Sequence, residues 1–387
     1  ARPGSARNTV CCNSAMPKAY LEKYVYDVFH AAAIVGVSLK LFASTSALDS
    51  AEVHEVATNT SFGSTLPLAD PSIAAACRAN PYEALAAVGE FYLLMAIMGN
   101  SPFAWLVAIG FNSITPAEWA RFTSWMSDGD QTLNTERLYF DFCKSVYAAF
   151  FVVYFLHGLL MLPLDLYASP ALLEKLKITK VQSDKRAEQS KLIRTLCIMG
   201  CNMLFVALPY VMFLAWFSFK FQGYGVRIDT TIPSHFQRFR NLVGFLLMNE
   251  LLFFYSHMAL HSKLLYRRFH KTHHEFTAPF ALVAIHAHPV EFLISDLIPM
   301  TAGIVPCNAH LFFVYMWCTA AVIGTQVHHS GFRMPWTVSF DEQPNFHDFH
   351  HQKFTCNYGN IGFLDLLHGT SKIYREHVER IRQDLRS

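Results

Sequence analysis

The sequence predicts an all-α, polytopic helical membrane protein with a histidine-rich domain at one membrane face, and three observations carry that prediction. Hydrophobic residues make up 52% of the 387 and charged residues only 16%, with a positive mean hydropathy, a balance that a soluble globule of this length does not show. Apolar runs long enough to cross a bilayer recur along the chain. Residues 257 to 274, HMALHSKLLYRRFHKTHH, hold five histidines, and NFHDFHH at 345 to 351 holds three more.

Residues 1–80 are read as an N-terminal extension of polar turns (NTSFGSTLPLADPS) with one moderately apolar segment, DVFHAAAIVGVSLKLFA, as an interfacial or buried helix. The chain opens with Arg2, Arg7 and Lys18 before its first acid, Glu22, which fits either the remnant of a targeting segment or a ragged terminus. Residues 81–170 are read as additional transmembrane helices: ALAAVGEFYLLMAIMGNSPFAWLVAIGF, broken near Gly99 to Pro102 into two shorter helices or kept as one span, then VYAAFFVVYFLHGLLMLPLDLYA. The stretch 171–194 carries seven Lys or Arg against three acids, so the positive-inside rule places it on the cytoplasmic-type or matrix-type side.

Four apolar runs follow: IRTLCIMGCNMLFVALPYVMFLAWFSF, NLVGFLLMNELLFFYSH, PVEFLISDLIPMTAGIVPC and HLFFVYMWCTAAVIGTQV. Read as four crossings, they return the chain to the basic side at His257 and again just before His328. Histidine groups some seventy residues apart thus meet at one membrane face. Residues 373–387 are a C-terminal tail. The net charge of +2 and the lack of a long like-charge run exclude nucleic acid as a partner. Nine cysteines without a CxxC framework fit reduced thiols in apolar packing.

The histidine spacings are His257-x3-His261, His270-x2-His273-His274 and His347-x2-His350-His351. Positions i, i+3 and i+4 of a helix lie on one face, so each group converges its rings on one side. Convergent neutral imidazoles are metal ligands, and eight exceed the four donors of one tetrahedral zinc, so two metal ions are the economical reading. The isolated His30, His54, His157, His235 and His377 receive no role. A metal storage or sensor site would also use imidazole, but it would not need so much membrane.

This set of motifs resembles the fatty acid hydroxylase superfamily of membrane di-iron oxygenases. LLYRRFHKTHHEFTAPF is similar to the YKxxHKxHHExxAPF stretch of the C-4 methylsterol oxidases, AHPVE (287–291) to their AHPxE, and HSGFRMPW (329–336) to HSGYxxPW of the sterol-acting branch. NFHDFHHQKFTCNYGNIGFLDLLHGT resembles the closing segment of the fatty acid hydroxylase domain-containing proteins, and the resemblance covers residues 193–372. Met258 stands where relatives carry Arg, and Arg333 where some branches carry another histidine. Arg333 offers no lone pair and cannot ligate.

The resemblance implies a four-helix transmembrane core under a domain holding two non-haem iron ions, and C–H hydroxylation of a lipid with O2. It also implies electrons from NAD(P)H through cytochrome b5 or a similar carrier; with no HPGG haem motif in the chain, the carrier is expected to be a separate partner. A sterol is the first expected substrate, and a fatty acyl or sphingoid chain the alternative. A structural subunit of a larger membrane complex that keeps its metal site is a third reading, of another class. The endoplasmic reticulum is the expected compartment and the mitochondrial inner membrane the alternative. His329, which opens the HSGxxxPW match, is expected to ligate directly, and His288 to ligate or to sit one hydrogen bond away. Glu250, two turns before His257, and Asp365 are expected to orient ligating rings by accepting their N–H groups.

Overall fold

Helices begin where a side chain takes up the N–H groups that a first turn leaves unbonded. In a computed structural model the described residues are 79–384 apart from 100, 131, 170, 173–175, 177, 179–188 and 334–342. The apolar segment at 27–43, the centre of the basic loop and residues 334–336 of the HSGFRMPW match lie outside them. Asn80 caps α1 (Pro81–Ile97), Ser101 caps α2 (Pro102–Ser113), and Thr115 with Glu118 forms a capping box on α3 (Pro116–Met126). Thr135 caps α4 (Glu136–Tyr167), and Ser234 with Gln237 forms a second capping box at α6 (His235–Leu260), which follows α5 (Lys191–Lys220). Then come α7 (Pro289–Cys307), α8 (Leu311–His328), α9 (Asn345–Lys353), α10 (Phe363–His368) and α11 (Lys372–Asp384). No strand occurs among the described residues, where a single bridge joins Arg227 to His310.

The run starting at Ala84 is two short helices rather than one span. The chain breaks at Gly99, whose φ of 61° is one that side chains disfavour. Among the described residues five helices, α4 to α8, are long and apolar enough to cross a membrane. α4 packs against α5 and α8, and α6 packs against α7. α8 is the central one: 78% of its apolar window is buried, against 22–39% in the other four. Those four keep large apolar side chains such as Leu156, Phe205, Leu247 and Ile294 on outer surfaces suited to lipid.

Small residues set how closely the helices approach. A Cβ on Gly324 of α8 would sit 2.4 Å from the Ile97 carbonyl oxygen at the end of α1. One on Gly158 of α4 would sit 2.4 Å from Leu282 in the turn that leads to α7. Both flanks of the basic loop reach the histidine-bearing end of the bundle. Ile178 and Arg333 make backbone bonds with Gly331 and Leu176, and Arg194 pairs with Glu275 at 2.5 Å, next to His274.

Candidate metal centre

The last two turns of α6 present His257, and His261 is the C-cap residue one turn later. The chain then makes a π-turn, Tyr266–His270, and a 3-10 turn, His273–Glu275, which set the second motif beside the first. α9 carries the third motif, and His329 caps the C-terminus of α8. Nine rings gather into two groups: His257, His261, His270, His274 and His350 in one, and His273, His329, His347 and His351 in the other. Within each group the ligand nitrogens all lie within 4.8 Å of one another.

Each HxxHH motif is divided between the groups, where the spacing alone had suggested a common one. His270 and His274 stay together while His273 crosses over; His347 and His351 stay together while His350 crosses the other way. In α9 the reason is angular: i+3 and i+4 lie about 100° apart around a helix, so they straddle the line through i. The two motifs thus interlock, each lending its middle histidine to the other.

Outward hydrogen bonds set the orientations of four of the nine rings. Nδ1–H of His257 donates to the Tyr358 carbonyl, that of His270 to the Glu291 carboxylate, that of His329 to the Thr325 carbonyl and that of His350 to the Cys356 carbonyl, each at 2.7 Å. A proton held on Nδ1 leaves the Nε2 lone pair facing inward. The Nε2 atoms approach closely: 2.8 Å for His261 and His270, 3.0 Å for His270 and His274, 2.9 Å for His329 and His347, and 3.1 Å for His347 and His351. Converging lone pairs repel unless a cation lies between them. Imidazole nitrogens about 2.1 Å from an ion have octahedral edges of about 3.0 Å, which is the spacing observed. The donor set therefore fits two transition-metal ions.

Protonation does not compete for these rings. Burial first, and then the neighbouring rings, hold His270, His273, His274, His347, His350 and His351 well below the ordinary imidazole range. His261 is lowered in the same way, and burial brings His329 down to about 4. At neutral pH all eight present the neutral form that binds metal.

His288 does not join either group. Its Nδ1 accepts the Val290 N–H at 3.1 Å as the N-cap of α7, and its ring lies against Phe269. Glu250 and Asp365 do not accept ring N–H groups. Glu250 takes the backbone N–H of Asn360 (2.8 Å), Ile361 (2.7 Å) and Leu364 (3.3 Å). Asp365 takes those of Tyr358 (2.8 Å) and Gly359 (2.6 Å). The two acids hold the loop whose Tyr358 carbonyl holds His257, so they reach the rings through backbone. The acid that does touch a ring is Glu291, inside AHPVE, a motif quoted above for its likeness and not weighed for its carboxylate.

A cavity of about 110 Å³ opens beside the second group. His328, His329 and His347 stand on its wall together with Tyr154, Phe292, Trp317 and Val322 from α4, α7 and α8.

The fatty acid hydroxylase family profile matches residues 242–370. Fatty acid hydroxylase domain-containing protein 2 of Macaca fascicularis is 35% identical over 57% of this chain and 65% of its own length, so the match leaves about a third of that relative uncovered. A very-long-chain aldehyde decarbonylase of Oryza sativa subsp. indica is 32% identical over 58% of this chain and 83% of its own. Methylsterol monooxygenase 2-2 of Arabidopsis thaliana is 29% identical over 58% and 83%. No solved structure matches the chain. The extent of these matches and the family profile on residues 242–370 show that this chain belongs to the fatty acid hydroxylase family.

Proposed function

We propose that the protein is a membrane lipid monooxygenase with one iron ion held by His257, His261, His270, His274 and His350, and a second by His273, His329, His347 and His351. The observation that carries this reading is the pair of interlocked imidazole groups opening onto a largely apolar cavity between membrane-spanning helices. Bound iron would supply the oxidising power by which O2, two electrons and two protons convert a C–H bond to C–OH, the second oxygen atom leaving as water. The chain does the rest. Nδ1 partners fix four of the nine rings, apolar walls keep water from the reacting carbon, and the cavity between the helices receives lipid from the bilayer. Imidazole alone does not select iron over zinc; the family supports iron.

For the substrate we favour a sterol, supported by AHPVE and by the methylsterol monooxygenase relative, with an acyl or sphingoid chain second, supported by the fatty acid hydroxylase relatives. Electrons come from NAD(P)H through a separate cytochrome b5-like carrier that approaches the histidine face, and the endoplasmic reticulum membrane is the favoured location. Membership of a larger membrane complex is the reading of another class. It predicts collapse of a co-purifying assembly, without accumulated lipid, when the protein is lost.

The test is metal analysis of the purified protein, followed by incubation with NADPH, cytochrome b5, its reductase and either a 4,4-dimethylsterol or a very-long-chain acyl lipid. About two irons per chain and an O2-dependent product one oxygen atom heavier are expected. Zinc or no metal would sink the reading. Glu291→Ala removes the acceptor that orients His270 and is expected to weaken metal retention about 10- to 100-fold on chelator titration, with Glu291→Gln restoring part of it through its amide oxygen.

A further inference from the structure

The cavity beside the second histidine group is lined by one acid with no part in the reading above. Asp296 faces it from the π-turn Phe292–Leu297 of α7. Three other polar groups on the same wall are bonded within the protein: Ser295 Oγ donates to Ser256 Oγ at 2.8 Å, Asn249 Oδ1 accepts from Asn360 at 3.1 Å, and Trp317 Nε1 donates to the Met300 carbonyl at 2.8 Å. No hydrogen-bond donor among the described residues serves the Asp296 carboxylate. A carboxylate at this depth in a membrane-spanning bundle is costly to keep and marks a substrate path when it faces a cavity.

Its place on α7 says which part of a substrate it meets. Glu291, at the start of the helix, bonds to His270 and marks the level of the metal centre. Asp296 is five residues further on, about one helical turn along the axis. It bonds to no ring of either histidine group, and it shares the cavity wall with His329 and His347. Past it, a second cavity of about 50 Å³ shares Phe150, Leu297 and Met300 with the first and offers an apolar wall. The space thus has three zones: the histidines, the Asp296 carboxyl group, and an apolar end.

We propose that Asp296 is the substrate-specificity residue, accepting a hydrogen bond from a hydroxyl of the lipid while the carbon to be oxidised sits at His329 and His347; this rests on the lipid monooxygenase reading. A hydroxyl suits the site because it can bond to a carboxyl group in either protonation state, whereas a hydrocarbon would bury the acid without a donor. The substrate is accordingly a lipid alcohol.

The experiment measures binding to the purified holoprotein in nanodiscs of two matched pairs: cholesterol with cholest-5-ene, and octadecan-1-ol with octadecane. The wild type is expected to prefer the hydroxyl-bearing member of at least one pair by about tenfold, the size of one well-made hydrogen bond. Asp296→Leu abolishes the preference and binds the deoxy member at least as tightly. Asp296→Asn, which keeps an amide oxygen, retains part of it. Iron content stays at the wild-type value in both variants. No preference in either pair for the wild type, or a preference that survives in Asp296→Leu, overturns the proposal, and so does loss of iron from Asp296→Asn. A wild-type protein without iron would instead sink the monooxygenase reading, and the two failures are distinguishable because the hydroxyl preference is read without turnover.

Discussion

On the two-iron reading proposed above, His350→Ala is expected to lower lipid hydroxylation by well over the ~100-fold that the loss of an outer partner of a metal ligand costs, and to release one of the two irons. Its immediate neighbour His351→Ala should do the same to the other iron, because adjacent rings on α9 serve different groups. The pairing makes this a sharp test. His350→Ala combined with His270→Ala, both from one group, should lose little more metal than either alone, since residues that act as a unit are not additive. His350→Ala combined with His351→Ala should lose both irons. Iron per chain is the direct readout, with gel filtration in detergent to show that each variant is folded. If the adjacent pair behaves as one unit and His350 with His270 as two, the division into groups is wrong.

Glu250→Ala is the second large effect. Three backbone N–H groups, from Asn360, Ile361 and Leu364, lose their acceptor at once. Each unsatisfied buried donor costs about 1–3 kcal/mol, so a combined loss of about 3–5 kcal/mol in folding stability is expected after allowing for relaxation. The loss should also reach the metal centre. The same loop carries the Tyr358 carbonyl that holds His257 and the Cys356 carbonyl that holds His350, so iron retention should fall in step with stability. Glu250→Gln, with one oxygen and an added N–H, should lie between alanine and wild type. Thermal unfolding in detergent with parallel iron analysis decides it; an alanine variant that melts with the wild type and keeps its iron would show that the loop stands without the acid.

The helical class and the spans were legible because bilayer length and hydropathy are local properties of a run of residues. α6 and α8 fall where NLVGFLLMNELLFFYSH and HLFFVYMWCTAAVIGTQV place them, with α6 running six residues further back to the capping box at Ser234. The run from Ala84 divided in two because the left-handed backbone at Gly99 and the Ser101 cap outweigh its hydropathy. The histidine motifs were legible for the same local reason, since i, i+3 and i+4 spacing is a property of one helix.

What the sequence by itself determined, then, is a helical membrane protein of the fatty acid hydroxylase type with eight histidines in three short motifs. Tertiary structure decided which rings share a site and which groups support them. His329 and His288 both flank apolar runs, yet His329 is turned inward by its bond to the Thr325 carbonyl while His288 spends its Nδ1 on capping α7. Glu250 and Glu291 both lie near histidines in the chain, yet Glu250 clamps a loop more than a hundred residues away and Glu291 reaches His270 across a turn. Asp296 looks like any acid in an apolar run until α4 and α8 close around it to form a cavity. The physical reason is common to all three. Spacing sets which side of its own helix a residue occupies, but the partner that fixes a ring, a carboxylate or a cavity wall comes from another helix, and only packing brings it there.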